Sequence, residues 1–230
     1  MGVPGDRLLV SHLGYDPKDF EPRLSRTDAR KQLGWPEGKR TVVYTGHLGR
    51  GKGIEALHAL AARIPEADFR VVGGTDAQVA HRIAQVRSAG LENVFHHPFV
   101  TIDRVPLHLF AGDVLIVPPT SVPLRKYGNT VLPIKLYTYL AAGRPIVAPR
   151  LKDIEELIVD GDNGVLVPPD DPDEAAQRLS SVLSDDAGMR RLEMKSLALA
   201  PRFSWENRGK DLLEFIQARI DALKASRNGG

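Results

Sequence analysis

The sequence predicts an α/β fold in which a parallel sheet is sandwiched by helices, and three observations lead to this prediction. Short apolar segments of strand length alternate with segments of helical apolar spacing through most of the 230 residues. Most of these segments end at glycine or proline, which interrupt regular structure. The chain shows no internal repeat and no low-complexity tract, so one continuous βαβ arrangement is expected rather than two domains.

The first half of the chain is expected to begin with a strand at Leu8 to Ser11, followed by a connector that runs to Arg26. A helix from Asp28 to Leu33 is stopped by Gly34. The later segments continue the alternation: a strand at Thr41 to Thr45, a helix at Ile54 to Ala62, a strand at Phe69 to Val72, a helix at Asp76 to Ala89, a strand beginning at Val94, a short helix ending at Phe110, and a strand at Val114 to Val117.

Residues 132–149 predict a helix followed by a buried strand. Pro133 suits the first helical position, where its fixed φ is favourable and its missing N–H costs nothing. Gly143 stands where a left-handed residue would end that helix, and Pro145 forbids its return. The segment Pro145 to Ala148 is short, apolar and bounded by prolines, as a buried strand would be.

The last third is predicted to be mostly helical. Asp171 is expected to cap a helix whose first residue is Pro172. The predicted elements are, in order, a helical turn at Ile154 to Val159, a turn at Asp160 to Gly164, a strand at Val165 to Val167, and helices from Asp171 to Leu183, from about Ala187 to Ala200, and from Ser204 to Arg227.

The composition argues against several classes of protein. The net charge of +2, with acidic residues interleaved with lysine and arginine, argues neither for nor against nucleic acid. Aromatic residues make up only 6% and form no cluster that suggests base stacking, and no nucleic-acid partner is expected. The absence of cysteine leaves no disulfide or thiolate metal site and suits a reducing compartment. No apolar run reaches the ~18 residues of a membrane span, and the first residues do not read as a signal peptide. A soluble, cytoplasmic protein is expected.

Charge is distributed unevenly around the predicted helix that follows Pro133. No Asp or Glu occurs from Val114 to Lys152, although the chain contains 29 of them. The basic residues of this window are Arg125, Lys126, Lys135, Arg144, Arg150 and Lys152. Lys135 falls in the first helical turn, where a cation opposes the helix dipole. Such a lysine either faces a bound anion together with the free N–H groups, or simply points to solvent.

Ligands of open parallel sheets bind beyond the carboxyl ends of the strands. Here the loops at those ends are Gly46 to Gly53, Gly73 to Thr75, Phe99 to Val100, and Pro118 to Thr130. The cations that these loops and the following helix contribute are His47, Arg50, Lys52, Arg125, Lys126 and Lys135, with Asn129 beside them. Two helix N-termini and several cations in one crevice predict a diphosphate ligand.

Three alternative kinds of site fit the sequence poorly. The first loop resembles a P-loop, but Gly53 stands where the Mg²⁺-ligating Ser or Thr belongs, and no later strand ends in a suitable acid. The Gly-x-Gly-x-x-Gly fingerprint of nicotinamide enzymes does not occur. His96 and His97 are neighbours in an extended segment and would face opposite sides, so no metal site is expected.

Several motifs together carry a family resemblance. They are Thr41 to Leu48 with Lys52 and Gly53, Phe69 to Gly74, Asp113 to Pro119, Lys135 to Ala148, Asp160 to Val167, and Phe203 to Glu206. In this order, and over nearly the whole chain, they resemble glycosyltransferase family 4, the group 1 glycosyltransferases of GT-B fold. The resemblance implies a Rossmann-like domain, the C-terminal half of a GT-B fold, which binds the nucleotide-diphosphate sugar of a retaining, metal-independent glycosyltransferase.

The resemblance also implies how the chain is organised. Residues 1–26 would be a linker-derived segment with the first strand, and residues 27–230 a donor-binding domain that ends in a long helix. The acceptor-binding N-terminal half is expected to be absent, so this chain alone would be an inactive half. The implied partners are the nucleotide sugar and, through the missing half, a sugar or lipid-linked acceptor. No cofactor is implied beyond the donor substrate.

The resemblance assigns binding roles but no catalytic residue. His47 replaces an arginine of the first loop, and Lys52 is the lysine that contacts the diphosphate. Gly73 and the loop at Phe99 and Val100 would flank the base. The donor sugar and distal phosphate would be held by Asn129, Thr130, Val131, Leu132 and Lys135. Thr130 and Thr138 replace the two glutamates of the family, the second of which binds ribose hydroxyls.

Two other functions stay open. The paired threonines favour a catalytically inactive nucleotide-binding or scaffold module of the same fold. A nucleotide-sugar epimerase of this architecture is a further alternative, although it needs acidic groups that the window lacks. The apolar face of the last helix is expected to lie against the missing half, another copy of the chain or the inner face of a membrane.

Overall fold

A single parallel sheet forms the centre of the computed structural model, which describes residues 3–122, 125 and 132–228. Its six strands lie in the order β3-β2-β1-β4-β5-β6. The strands are β1 Thr41–Thr45, β2 Asp68–Val72, β3 Val94–His97, β4 Val114–Ile116, β5 Ile146–Pro149 and β6 Val165–Val167. This order confirms the predicted parallel α/β sheet. It also places a topological switch point between β1 and β4, where the crossover direction reverses.

Helices cover both faces of the sheet. In the described part of the chain they are α1 Arg26–Leu33, α2 Ile54–Arg63, α3 Asp76–Ser88, α4 Val105–Ala111, α5 Lys135–Ala142, α6 Pro172–Ser184, α7 Asp186–Leu199 and α8 Trp205–Asn228. Short 3-10 helices occur at Gly5–Arg7, Pro17–Phe20, Ile102–Arg104 and Ala200–Phe203. None of the helices described is long and apolar enough to span a lipid bilayer.

The side chains of β1 divide the core into two layers because successive residues of a strand point to opposite faces. Val43 packs into a layer formed with α1, α4 and α5. Val42 and Tyr44 pack into the opposite layer, formed with α2, α3 and α6. Every residue of β1 is buried, which explains why this strand has a continuous apolar sequence rather than an alternating one.

The helix boundaries follow local chemistry that is legible in the sequence. Thr75 and Gln78 form a capping box at the start of α3. Asp171 accepts a hydrogen bond from the backbone N–H of Glu174, and Pro172 is the first residue of α6. Gly143 has φ 62° and ends α5, as predicted.

Two structural predictions are wrong. Residues 8–11 form no strand, because Leu8 and Val10 are 58% and 83% exposed and no neighbouring strand pairs with them. The pairing near this end is a single bridge between Tyr15 and Ser204. Pro133 lies before the helix rather than at its first position: Leu136 N–H donates to its carbonyl at 3.0 Å, and α5 starts at Lys135.

Candidate functional site

The loop that follows β1 crosses to the loop that follows β4. A Cβ atom at Gly53 would lie 2.6 Å from Thr120 Cγ2 and 2.7 Å from Pro118 Cβ, and Gly53 has φ +76°. Only glycine fits this left-handed, crowded position without displacing its neighbours. The two loops therefore meet beside the switch point, and α2 starts at their junction.

A second close backbone approach joins the ends of β1 and β2. A Cβ atom at Gly73, whose φ is +140°, would lie 1.9 Å from the carbonyl oxygen of Gly46. Gly46 N–H donates to Val72 O at 2.9 Å, and Gly73 N–H donates to His97 O at 2.9 Å. The predicted site residue Gly73 therefore lies directly against the first residue of the loop after β1, and only glycine at position 73 permits that approach.

Lys135 points into the crevice between β1 and β4. Its Nζ lies 3.7 Å from the centroid of the Tyr44 ring. A Cβ atom at Gly46 would lie 2.9 Å from the same Nζ. This position excludes the alternative that Lys135 simply extends into solvent. Burial, and secondarily the charge of Lys52, lower the pKa of Lys135 to about 7.

The remaining cations of the first loop are accessible. His47, Arg50 and Lys52 are exposed, and within the described residues none of them enters an ion pair. The loop itself is held from inside by Arg82, whose guanidinium donates to Leu48 O at 3.1 Å and to Glu55 Oε1 at 2.7 Å. Sequence reasoning missed Arg82, although its helical spacing from Val79 and Val86 places it on the buried face of α3.

Phe99, Val100 and His47 lie at the β2–β3 side of the crevice. The rings of His47 and Phe99 meet edge to face with centroids 5.2 Å apart. Phe99 N–H donates to Gly74 O at 2.9 Å, which fixes the loop after β3 beside the glycines. Because Phe99 is 48% exposed, its ring offers an accessible flat surface, while Val100 is half-buried.

Thr138 and Leu132 lie near Lys135. The Thr138 hydroxyl donates to the carbonyl oxygen of Lys135 at 2.8 Å, so its single proton is already used within α5. Leu132 is half-buried and packs against the core. The predicted site residues Asn129, Thr130 and Val131, and the cation Lys126, lie outside the described residues.

Three arginines of the acid-free window do not contribute free charge to the crevice. Arg125 pairs with Asp170 at 3.3 Å. Arg144 donates to Phe110 O at 2.8 Å and lies 3.4 Å from Glu193, and Arg150 lies 2.5 Å from Asp160. Arg125 was among the cations expected at the crevice, and its ion pair with Asp170, which lies outside the window, reduces the free charge that it contributes.

One buried hydroxyl spans the switch point. Tyr139 Oη accepts a hydrogen bond from Thr45 N–H at 2.9 Å and lies 3.4 Å from the carbonyl oxygen of Ile116. Burial raises the pKa of Tyr139 to about 12, so the phenol stays neutral. It therefore ties α5 to the ends of both strands that border the crevice.

The adjacent histidines face opposite sides of β3, as expected. His96 Nε2 lies 3.0 Å from His58 Nε2, whereas the His97 ring stacks on Trp35 with centroids 5.9 Å apart. Burial lowers the pKa of both His96 and His97 to about 4. Among the residues that the structure describes, no group of three or more His, Cys, Asp or Glu side chains is arranged to hold a metal ion.

Comparison with known proteins identifies the family. The family described as "Glycosyl transferases group 1" matches residues 39–185. The D-inositol 3-phosphate glycosyltransferase of Corynebacterium urealyticum is 29% identical over 228 residues, which cover 92% of this chain and 51% of the relative. This chain therefore spans about half the length of the curated relative that it matches.

Solved structures agree on the fold. Sucrose-phosphate synthase from Thermosynechococcus elongatus is similar with a TM-score of 0.75 and 26% identity, covering 91% of this chain and 52% of that one. Anabaena Alr3699/HepE in complex with UDP gives a TM-score of 0.76 at 22% identity, covering 91% and 57%. The six-stranded Rossmann-like sheet thus matches the C-terminal domains of GT-B glycosyltransferases. On the evidence of its sheet order, its glycine-lined crevice and the family match, the chain belongs to the group 1 glycosyl transferases.

Proposed function

We propose that this chain is the half of a retaining, metal-independent glycosyltransferase that binds the nucleotide-diphosphate sugar. The observation that carries the proposal is the position of Lys135 Nζ between the Tyr44 ring and Gly46, close enough to Lys52 for the two charges to interact. Two like charges at one crevice raise the energy of the empty site, and an anion between them lowers it. No carboxylate in the described residues forms an ion pair with either lysine.

The surrounding geometry suits the other parts of such a donor. The loop after β1 and the N-terminus of α2 offer backbone N–H groups beside Lys52 for a diphosphate. The exposed Phe99 ring, with His47 at its edge, suits a base. The Anabaena structure of the same fold contains UDP, which supports a nucleoside diphosphate as ligand.

The chemistry that these groups supply is stabilisation of the departing diphosphate. As the bond from the sugar to the diphosphate breaks, negative charge increases on the phosphate oxygens. Lys135, which the Tyr44 ring holds at the crevice, and Lys52, on the loop before α2, would stabilise that charge. No residue of the described chain is assigned as a general base, and none is required for this part of the reaction.

Calorimetry with UDP, GDP and ADP in the presence of EDTA tests the proposal. The wild-type chain is expected to bind at least one of the three, because the lysines and the glycine loop recognise the diphosphate without a metal. Lys195→Met is the matched control for Lys135→Met, because it removes an exposed lysine that pairs with Asp162 on another part of the surface. Absence of heat from all three nucleotides at millimolar concentration contradicts the proposal.

A catalytically inactive nucleotide-binding module is the second candidate. It is favoured by Thr138, which is neutral and already donates its proton to Lys135 O. Under the transferase proposal, Thr138→Glu introduces a carboxylate that can accept hydrogen bonds from the ribose hydroxyls. Nucleotide affinity should therefore increase roughly three- to tenfold. Unchanged affinity of Thr138→Glu, with normal stability, favours the inactive module.

The acceptor site is proposed to lie outside this chain. The chain covers about half of its relatives, and α8 carries exposed apolar residues, with Leu213 at 69% and Ile216 at 51%. A further domain that carries the sugar or lipid-linked acceptor would cover this face. Co-sedimentation with anionic vesicles tests the competing proposal of a peripheral membrane contact, and Leu213→Glu should abolish any such binding.

A further inference from the structure

Tyr44 contacts two separate parts of the crevice from the middle of the sheet. Its ring lies under the Lys135 ammonium, 3.7 Å from centroid to Nζ. Its hydroxyl donates to the carbonyl oxygen of His47 at 2.9 Å. Tyr44 is 1% exposed, so burial holds the ring between these two partners. It thereby connects a residue at the start of α5 to the loop that follows β1.

The ring is a suitable support for a cation that must remain available to a ligand. An aromatic face attracts an ammonium group without neutralising it, whereas a carboxylate would compete with an incoming phosphate. Burial raises the pKa of Tyr44, so the phenol stays neutral and does not form an ion pair with Lys135. The ring therefore holds Lys135 in position while its charge remains free.

The hydroxyl acts on the other side of the crevice. A Cβ atom at Gly46 would lie 3.1 Å from Tyr44 Oη, so the loop passes directly over the phenol. Since His47 O accepts the hydroxyl proton, the peptide group that joins His47 to Leu48 has a fixed orientation. Tyr44 thus determines both the position of the loop after β1 and the position of the Lys135 ammonium group.

We infer that Tyr44 is a positioning residue of the diphosphate-binding site, whose ring places the Lys135 ammonium and whose hydroxyl fixes the loop at His47. This inference rests on the proposed function. The two roles of Tyr44 can be tested separately, because Tyr44→Phe keeps the ring and removes only the hydroxyl, whereas Tyr44→Leu removes both.

The experiment compares Tyr44→Phe with Tyr44→Leu by calorimetry against UDP and UMP, each with Lys135 present and in a Lys135→Met background. Tyr44→Phe should weaken both nucleotides roughly 2- to 12-fold, because the loop loses one hydrogen bond. Relative to Tyr44→Phe, Tyr44→Leu should weaken UDP a further 3- to 30-fold and leave UMP unchanged, because UMP lacks the distal phosphate. The additional loss of UDP affinity in Tyr44→Leu should vanish in the Lys135→Met background.

The control is Tyr137→Phe, which removes the hydroxyl of another buried tyrosine, on α5, whose ring packs on Phe203 away from the crevice. It should bind UDP within twofold of wild type. Equal UDP affinity of Tyr44→Phe and Tyr44→Leu overturns the role of the ring. Absence of binding of UDP, GDP and ADP to the wild-type chain overturns the proposed function itself, and the role of Tyr44 with it.

A measurement on the wild-type chain decides the case if Tyr44→Leu does not fold. In a sample with ¹³C-labelled lysine, the ε-methylene protons of Lys135 should be shifted upfield by the Tyr44 ring and should move when UDP is added. The signal is assigned by its loss in Lys135→Met. A Lys135 signal at the ordinary lysine position overturns the inference.

Discussion

A basic side chain lies at each end of α5, and the two side chains have opposite effects on the stability of the helix. At its first residue, Lys135 lies over the Tyr44 ring with Lys52 nearby. At its last turn, Arg23 donates to the carbonyl oxygens of Ala141 at 2.5 Å and Ala142 at 2.7 Å. The arginine satisfies helix carbonyls and agrees with the helix dipole, whereas the lysine opposes it.

The partners of the charges explain the difference. Beyond the C-terminal end, Arg144 lies 3.4 Å from Glu193, which also binds Arg26 at 2.7 Å. Arg26 in turn lies 3.2 Å from Asp113, and Arg30 lies 2.5 Å from it. At the N-terminal end the described residues supply no carboxylate to Lys135. One end therefore stabilises the fold, and the other retains charge for a ligand at a cost in stability.

The largest effect is expected from Asp113→Ala at the paired end. This change leaves the buried Arg30 without its carboxylate and removes the acceptor of the Thr41 N–H. The free energy of unfolding should fall by about 3–5 kcal/mol, as for other broken buried pairs. Urea unfolding measures it, with Asp162→Ala as the exposed control, which should change stability by less than ~0.5 kcal/mol. A small loss in the free energy of unfolding of Asp113→Ala would contradict the claim that the ion pairs near the C-terminal end of α5 stabilise the fold.

Lys135→Met should have opposite effects on binding and stability. UDP affinity should fall roughly 10- to 150-fold, because a charge-assisted contact to phosphate is lost. The free energy of unfolding at pH 7 should rise by about 1–3 kcal/mol, a range reduced to allow for the partial exposure of Lys135. Calorimetry and urea unfolding measure the two quantities, and a decrease in both would show that Lys135 is structural.

The sign of the stability change follows from the pKa of Lys135, about 7 in the folded chain against an ordinary value of 10.5. Between these values the unfolded chain binds more protons, so stability increases with pH. The penalty is therefore full below pH 7 and disappears as pH rises toward 10.5. The gain in stability of Lys135→Met should shrink over the same interval.

UDP binding should depend on pH through the same group. Since the protonated lysine binds phosphate, affinity should be highest near pH 7 and fall toward pH 9, by up to about tenfold per pH unit. Calorimetry at pH 8 in two buffers of different ionisation enthalpy should detect proton uptake on binding. Lys135→Arg keeps its charge throughout, so equal proton uptake by this variant would assign the effect to another group.

The smallest effect is expected from Arg23→Ala at the capped end. Loss of the two hydrogen bonds to Ala141 and Ala142 should lower the free energy of unfolding by about 1–2 kcal/mol. UDP affinity should stay within twofold of wild type, because Arg23 contacts the end of α5 that faces away from the crevice. Thermal unfolding and calorimetry check both, and a tenfold loss of affinity would mean that the two ends are not independent.

The sequence predicts the strands of the sheet more accurately than it predicts the partners of the charged residues. Strand β1 was predicted residue for residue, because a short apolar run that leads into a glycine loop has few alternatives. Residues 8–11 looked similar but form no strand, since an apolar run does not reveal whether a neighbouring strand is available. The fold class follows from alternation along the whole chain and tolerates such a local error.

The site was only partly predictable. The glycines and Lys52 of the first loop lie directly after β1, as the sequence predicts, but the acid-free window gave no information on ion pairs formed across the fold. Asp170 neutralises Arg125 and Glu193 contacts Arg144, and both acids lie well beyond the window. The support of Lys135 by Tyr44 depends on a side-chain direction that spacing along the chain does not determine.

The tie made by Tyr139 has a mechanical consequence. Lys135 and Tyr139 lie one turn apart on α5, and the Tyr139 hydroxyl spans the ends of β1 and β4. A rigid helix transmits a displacement of its first residue to its next turn without loss. A force on Lys135 is therefore shared with the hydrogen bonds that Tyr139 makes at the ends of β1 and β4.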